Sequence, residues 1–294
     1  MKQDNSISRR IFQGCNTLIM VALMVVCLYP FLYIIFASFS DAAELLKSTG
    51  LLLKPAGFSL EGYKAVLNNK DVYTGYANTL FYVVVGTVLN VIVTALLAYA
   101  LSRKTVKYTK QMMIFIVITM FFNGGMIPTY LVVKSLGLLD SRWALIFPTL
   151  VSTYNLIVMR TAFAGIPESL EESAKLDGAN DIVILFRIVL PLSTSTIAVM
   201  VLFYGVAHWN SWFNAMMYLP TKRGLYPLQL ILREILINAS TDNMMMDSSA
   251  GSRASLEDVI KYATVVVATV PILCVYPFLQ KYFVKGVMVG AVKG

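Results

Sequence analysis

The chain has 294 residues, a net charge of +8 and a mean hydropathy of +0.70; 57% of its residues are hydrophobic and only 14% are charged. Soluble domains carry about 25% charged residues, so the composition excludes an ordinary soluble protein and points to an integral membrane protein. The cations are dispersed with no basic stripe, which argues against nucleic acid as a partner.

A membrane-crossing helix needs about 20 largely uncharged residues. Blocks at about 15–37, 76–100, 112–133, 144–163, 192–218 and 260–280 meet that demand, and none alternates apolar and polar positions as a barrel strand does. The expectation is an all-α, six-span protein forming a single transmembrane domain over 1–294. The first block follows Lys2, Arg9 and Arg10 and so has the flanks of a signal peptide, but it is longer than the usual apolar stretch of about 7–15 residues and is kept as a span. After the second block, "LSRKTVKYTKQ" sets Arg103, Lys104, Lys107 and Lys110 between two spans with no acid among them. Cations in short loops mark the cytoplasmic side. Both termini are therefore expected inside.

The third block contains "FFNGGMIPTY", in which Asn123, Gly124, Gly125 and Pro128 interrupt a helix and free backbone groups that can line a cavity. Tyr154 and Asn155 stand in the fourth. For Asn123 and Asn155, hydrogen bonding between helices is the alternative reading. Between the fourth and fifth blocks the sequence turns wet, as "PESLEESAKLDGANDIVILFRIVLP". Pro167 suits a first helical turn, Glu168, Glu171 and Glu172 complement the helix dipole, and Leu170, Ala174 and Asp177 recur at helical spacing until Gly178 breaks it. "DIVILFRI" then starts a second helix. Two short helices bent about Gly178 at the cytoplasmic surface are expected, although periodicity alone also fits an interfacial helix.

The fifth block ends in "HWNSWFN". On a helical wheel Trp209, Trp212 and Phe213 share one face while Asn210 and Asn214 share another, a mixture suited to sugars, whose C–H faces stack on rings while their hydroxyls exchange hydrogen bonds with amides. A second reading stands beside it. Trp209 lies roughly 25 Å along the helix from Leu192, near the outer headgroups where Trp and Tyr form belts. His208, the only histidine, has no ligand or carboxylate within a helical turn and reads as a packed or cavity-facing polar residue, not as part of a zinc site or triad. Cys15, Cys27 and Cys274 have neither metal-ligand spacing nor the look of a disulfide framework. Residues 225–240 have the period of an amphipathic helix, expected on the outer surface. A loop follows, then Ser255 and Asp258 as a capping box for the sixth span, with Pro271 and Pro277 as kinks. No G-x-x-x-x-G-K-[ST] phosphate loop occurs, so any ATP must be bound by another subunit.

The run "E-S-A-K-L-D-G", nine residues, then "I-V-L-P" resembles the EAA loop of ABC-importer permeases, E-A-A-x-x-x-G-x9-I-x-L-P; Glu172, Ala174, Gly178, Ile188, Leu190 and Pro191 match in register, and Ser173 replaces a small residue by another. "GVAHWNSWFNAMMYL", "YPLQLILREILI" and the tail "YPFLQKYFVKGVMVGAVKG" are similar to carbohydrate permeases of the maltose-permease type, most of all to the Gram-positive Lpl-like permeases for aldouronates and complex oligosaccharides. The resemblance implies a coupling role for Glu172, Ser173, Ala174, Asp177, Gly178, Ile188, Leu190 and Pro191, seated in a groove of an ATP-binding subunit. It also implies the partners: a second homologous permease, two ATP-binding subunits and an extracellular sugar-binding lipoprotein, around a chain set in lipid of a Gram-positive plasma membrane. ATP and Mg would sit on the partner ATPase, with no cofactor on this chain. Candidates for the sugar path are Asn123, Tyr154, Asn155, Trp209, Asn210, Trp212 and Asn214. Rival readings are a permease for a non-sugar solute, for which the spans lack acidic clusters, and a secondary transporter, for which they lack ionisable groups. A membrane enzyme would need a catalytic cluster that the sequence does not offer.

Overall fold

A computed structural model of the chain describes residues 7–48, 50–245, 257–274 and 277. Among these residues the chain is helical, with no strand beyond one isolated bridge between Ser40 and Phe58. They fall into two units, the described parts of Met1–Asn69 with Glu234–Val270, and of Lys70–Arg233 with Pro271–Gly294.

The first unit opens on α1 (Ile7–Ser38), predominantly apolar from Ile11 on, with Leu23, Val26 and Phe31 all exposed within it. Its part from Ile11 to Ser38 has 28 residues. At 1.5 Å per residue that is about 42 Å, more than a bilayer core of about 30 Å. The Ser38 hydroxyl closes the helix on Ile35 O (2.7 Å) and meets Tyr63 Oη at 2.8 Å. Then α2 (Ala42–Lys47) starts where Asp41 Oδ1 accepts from Ala43 N and Glu44 N, as an N-cap does. In α3 (Glu61–Asn68), Gly62 lets the chain approach the helix of residues 257–274, since a β-carbon there would meet Val259 at 2.8 Å. Tyr33 meets Tyr262 of the same helix edge-on at 5.8 Å.

The second unit is built on α4 (Lys70–Ser102), which contains one π-helical stretch, Tyr82–Gly86. Next come α5 (Thr109–Phe121) and α6 (Met126–Ser135), bent from each other by 113°. After two short 3-10 turns follow α7 (Thr153–Ala164) and α8 (Glu168–Leu176). A second bent pair, α9 (Asp181–Leu192) and α10 (Thr194–Trp209), turns by 88°, followed by α11 (Trp212–Tyr218) and by the part of α12 (Leu228–Met245) up to Arg233. One core joins α4, α7, α9 and α10, where Ala95 and Ala98 face Met159, Phe163, Ile184 and Met200. Small residues at such contacts let helices approach closely.

Hydropathy had merged elements that the structure separates. The expected span at 112–133 is two helices, because at the break Gly125 takes φ +88 and its N–H donates to Asn123 Oδ1. The expected span at 144–163 is helical only from Thr153; Arg142–Leu145 and Phe147–Thr149 are 3-10 turns. The expected span at 192–218 is cut at Asn210–Ser211. Among the described residues, α1 from Ile11 and α4 are each long and apolar enough to cross a membrane, and each bent pair would supply one more crossing if it is one span. The Ser255 capping box and most of the tail lie outside the described residues.

Candidate functional site

Unwound backbone inside an apolar layer must find hydrogen-bond partners within the protein. Asn90, one turn past the π-helical stretch of α4, supplies two: its Nδ2 donates to Thr149 O (2.6 Å) and Leu150 O (2.9 Å). That fixes Oδ1 as an acceptor, so His208 Nε2, 2.9 Å away, carries the proton. Ser152 N donates to Tyr204 Oη (3.1 Å), which also pairs with Thr94 Oγ1 at 2.8 Å. The irregular segment before α7 is thus held against α4 and α10 by long-range side chains.

That arrangement opens a cavity of about 890 Å³, bordered by Ser152, Tyr154 and Asn155 at the start of α7, by Phe203, Tyr204 and His208 of α10, and by Asn210, Ser211, Phe213 and Asn214 at the break before and into α11. Among the described residues, no Asp, Glu, Lys or Arg borders it. Its wall offers amides, hydroxyls and aromatic faces.

Of the residues singled out in the sequence, Tyr154, Asn155, Asn210 and Asn214 meet at this cavity. Trp209, Trp212 and Asn123 do not. The wheel drawn through 209–214 fails because the helix ends at Asn210 and restarts at Ser211, so Phe213 turns to the amides' side. Trp209 is buried against Tyr76 at 6.5 Å, a packing residue. Trp212 lies under the Arg233 guanidinium at 4.5 Å. Asn123 is exposed and serves its own turn. Ser152, Phe203 and Tyr204 went unnoticed in the sequence because nothing in a span's periodicity marks which apolar face borders space.

The 167–191 segment is the second feature. The first helix, α8, ends in a Schellman motif: Ala179 N donates to Ala174 O (2.9 Å) and Gly178 N to Lys175 O (3.0 Å), with Gly178 in the left-handed region at φ +81. Asn180 Oδ1 then caps α9 by accepting from Val183 N. One glycine and one cap make the bend. Ala174, Ile188 and Leu190 turn inward onto the core, while Glu172, Ser173, Asp177 and Pro191 remain exposed. Exposed too are the apolar Leu170 and Leu176 of α8 and Ile182 and Phe186 of α9, with Leu176 89% exposed. Glu171 alone among the acids of α8 is buried, paired with Arg103. Burial pushes its carboxyl above the usual range, with Arg103 and Lys175 pulling the other way.

The chain is similar over nearly its whole length to transport proteins. It is 45% identical over 277 residues to the polygalacturonan/rhamnogalacturonan transport system permease protein YtcP of Bacillus subtilis, covering 94% of this chain and 96% of that protein. To the protein LplC of the same organism it is 41% identical over 290 residues, covering 99% and 97%. The chain belongs to the permease subunits of ABC carbohydrate importers. No family model matches it. Its fold agrees: a crystal structure of a bacterial ABC transporter that imports the acidic polysaccharide alginate contains a chain with a TM-score of 0.86 and 33% identity, covering 96% of this chain and 100% of that one. Permeases of this family are transport components.

Proposed function

We propose that this permease forms half of a heterodimeric translocation path for an oligosaccharide and is driven through its 167–191 loop by ATP hydrolysis on separate subunits. The observation that carries the reading is the loop itself. The bend leaves Leu176 almost fully exposed, with Leu170 also exposed in the same polar helix, apolar surface that water penalises unless a partner covers it. Glu172, Ser173, Asp177, Gly178 and Pro191 are exposed as well, whereas Ala174, Ile188 and Leu190 pack on the core. The chain has no phosphate loop of its own, so the partner is assigned as an ATP-binding subunit, one of two, each carrying its own ATP and Mg.

The cargo assignment rests on the cavity. Amides, hydroxyls and rings suit saccharide hydroxyls and C–H faces, and among the described residues the wall has no carboxylate to hold the ammonium of a peptide or amino acid. Relatives named for polygalacturonan/rhamnogalacturonan and for alginate make uronate oligomers the first cargo to assay, their carboxylates being left to hydroxyl and amide donors or to the second permease, since no Lys or Arg borders the wall among the described residues. The full assembly proposed has six spans with both termini inside, a second permease, and an extracellular sugar-binding lipoprotein, in the plasma membrane of a Gram-positive cell.

The deciding experiment is purification of the tagged permease from its own membranes in mild detergent. An ATP-binding protein and a second permease should co-elute; recovery of the chain with no ATPase would overturn the reading.

A further inference from the structure

Arg103 follows directly on α4 and touches three elements at once. One Nη pairs with Glu171 of α8, the other reaches Phe163 O at the end of α7 at 3.4 Å, and the guanidinium lies over the Tyr99 ring of α4 at 4.7 Å. The pair is nearly dry, with the Arg103 and Glu171 side chains 12% and 9% exposed. The neighbouring pair of Lys104 with Glu168 is 83% and 57% exposed, and so is screened by water and salt. Only one ionic contact between the 103–104 turn and α8 is therefore rigid. A planar fork holding three partners tolerates little displacement of any of them.

Both other elements in that fork lead to the cavity. The helix α7 carries Tyr154 and Asn155 on the wall, and α4 carries Asn90, which holds Thr149, Leu150 and His208 in place. We propose that Arg103 is the positioning residue that makes α8 move together with α4 and α7, so that displacement of the coupling loop by an ATP-binding subunit reaches the cavity wall through the Arg103–Glu171 pair. The proposal rests on the coupling reading given above.

The test uses the whole importer in proteoliposomes, with Cys15, Cys27 and Cys274 replaced by serine and Asn214→Cys as a reporter on the cavity wall. Maleimide labelling of that reporter is measured before and after trapping with ATP and vanadate, so no cargo is needed. In the parent, trapping should change the labelling rate. Removing Arg103 alone would leave a buried carboxylate unpaired and could unfold the loop, so the informative variant is Arg103→Met with Glu171→Met, which removes both charges. Its ATP turnover should persist while the trapping-dependent change in labelling shrinks about fivefold or more. A change equal to the parent's would overturn the role of Arg103.

Leu176→Asp, at the exposed end of α8, separates this failure from that of the coupling reading. It should weaken association with the ATP-binding subunit. If it leaves association and ATP turnover untouched, or if the parent itself does not respond to trapping, coupling through this loop fails. If Leu176→Asp acts as expected and the double methionine variant behaves as the parent, only the Arg103 role falls.

Discussion

His208 Nε2 stands 2.9 Å from Asn90 Oδ1, and the imidazole fits there only because residue 86 has no side chain. A β-carbon on Gly86 would lie 2.7 Å from His208 Cε1 and closer still to Nε2. The π-helical stretch that ends at Gly86 thus makes room for the ring that Asn90 orients.

The contact has a measurable consequence for assembly. Asn90→Leu leaves two carbonyls at depth without donors, a loss of about 1–3 kcal/mol for each unsatisfied group. Gly86→Ala forces the ring to move. Both variants should lower the melting temperature of the detergent-solubilised permease, and wild-type melting in both would show that the network carries no stability.

A side chain at Gly178 would be strained by conformation and not by crowding, since nothing lies within 4 Å of a β-carbon there although φ is +81. A β-branched residue in that region costs on the order of 1–3 kcal/mol. Gly178→Val should reduce transport and substrate-stimulated ATPase with insertion intact, and Gly178→Asn, which tolerates the left-handed region, should be milder. Equal activity of the Val variant and the parent in vesicle uptake would remove the bend from the mechanism.

On the cavity wall the two asparagines should differ. Asn210 Nδ2 already donates to Val206 O (2.9 Å), so its amide has less to offer a sugar hydroxyl. Asn214→Leu should reduce uptake by roughly fivefold or more, the loss of one hydrogen bond to a buried hydroxyl, and Asn210→Leu by less. Trp209 belongs to packing. Trp209→Ala should impair assembly, at about 3–5 kcal/mol for a large buried side chain, whereas Trp209→Phe should assemble and transport. Uptake lost in the Phe variant with normal assembly would return Trp209 to the sugar path.

Asp140 supplies a pH dependence. Its carboxylate accepts from Thr221 N (3.0 Å), Thr221 Oγ1 (2.8 Å) and Lys222 N (3.1 Å), tying the turn after α6 to the one after α11. Hydrogen bonding from Thr221 holds the carboxyl below its ordinary value, against a smaller cost of desolvation. A depressed folded-state value means stabilisation that is present above the unfolded value and lost as pH falls through the folded one. The melting difference between the parent and Asp140→Asn should therefore be largest at neutral pH and vanish in acid. A difference that does not change with pH would refute this.

The orientation proposed for the chain is open to labelling. A cysteine at Lys222 should react with an impermeant thiol reagent added to whole cells, and one at Thr105 should not. The reverse pattern would invert the topology.

Sequence by itself determined the class, since apolar blocks at +0.70 mean hydropathy have no soluble solution, and it located the bend, because Gly178 and Asn180 act on their own neighbours. These signals are local. Tertiary structure decided where the apolar blocks break and what borders the cavity. A run such as "RWALIFPTL" has no periodicity that separates a helix from 3-10 turns; it stays unwound because Asn90, far away in the chain, supplies the donors that its carbonyls need. Arg103 likewise reads in sequence as one more cation of a cytoplasmic loop. Only the fold brings Glu171 to it and removes the water between them, which turns a topology signal into a buried contact.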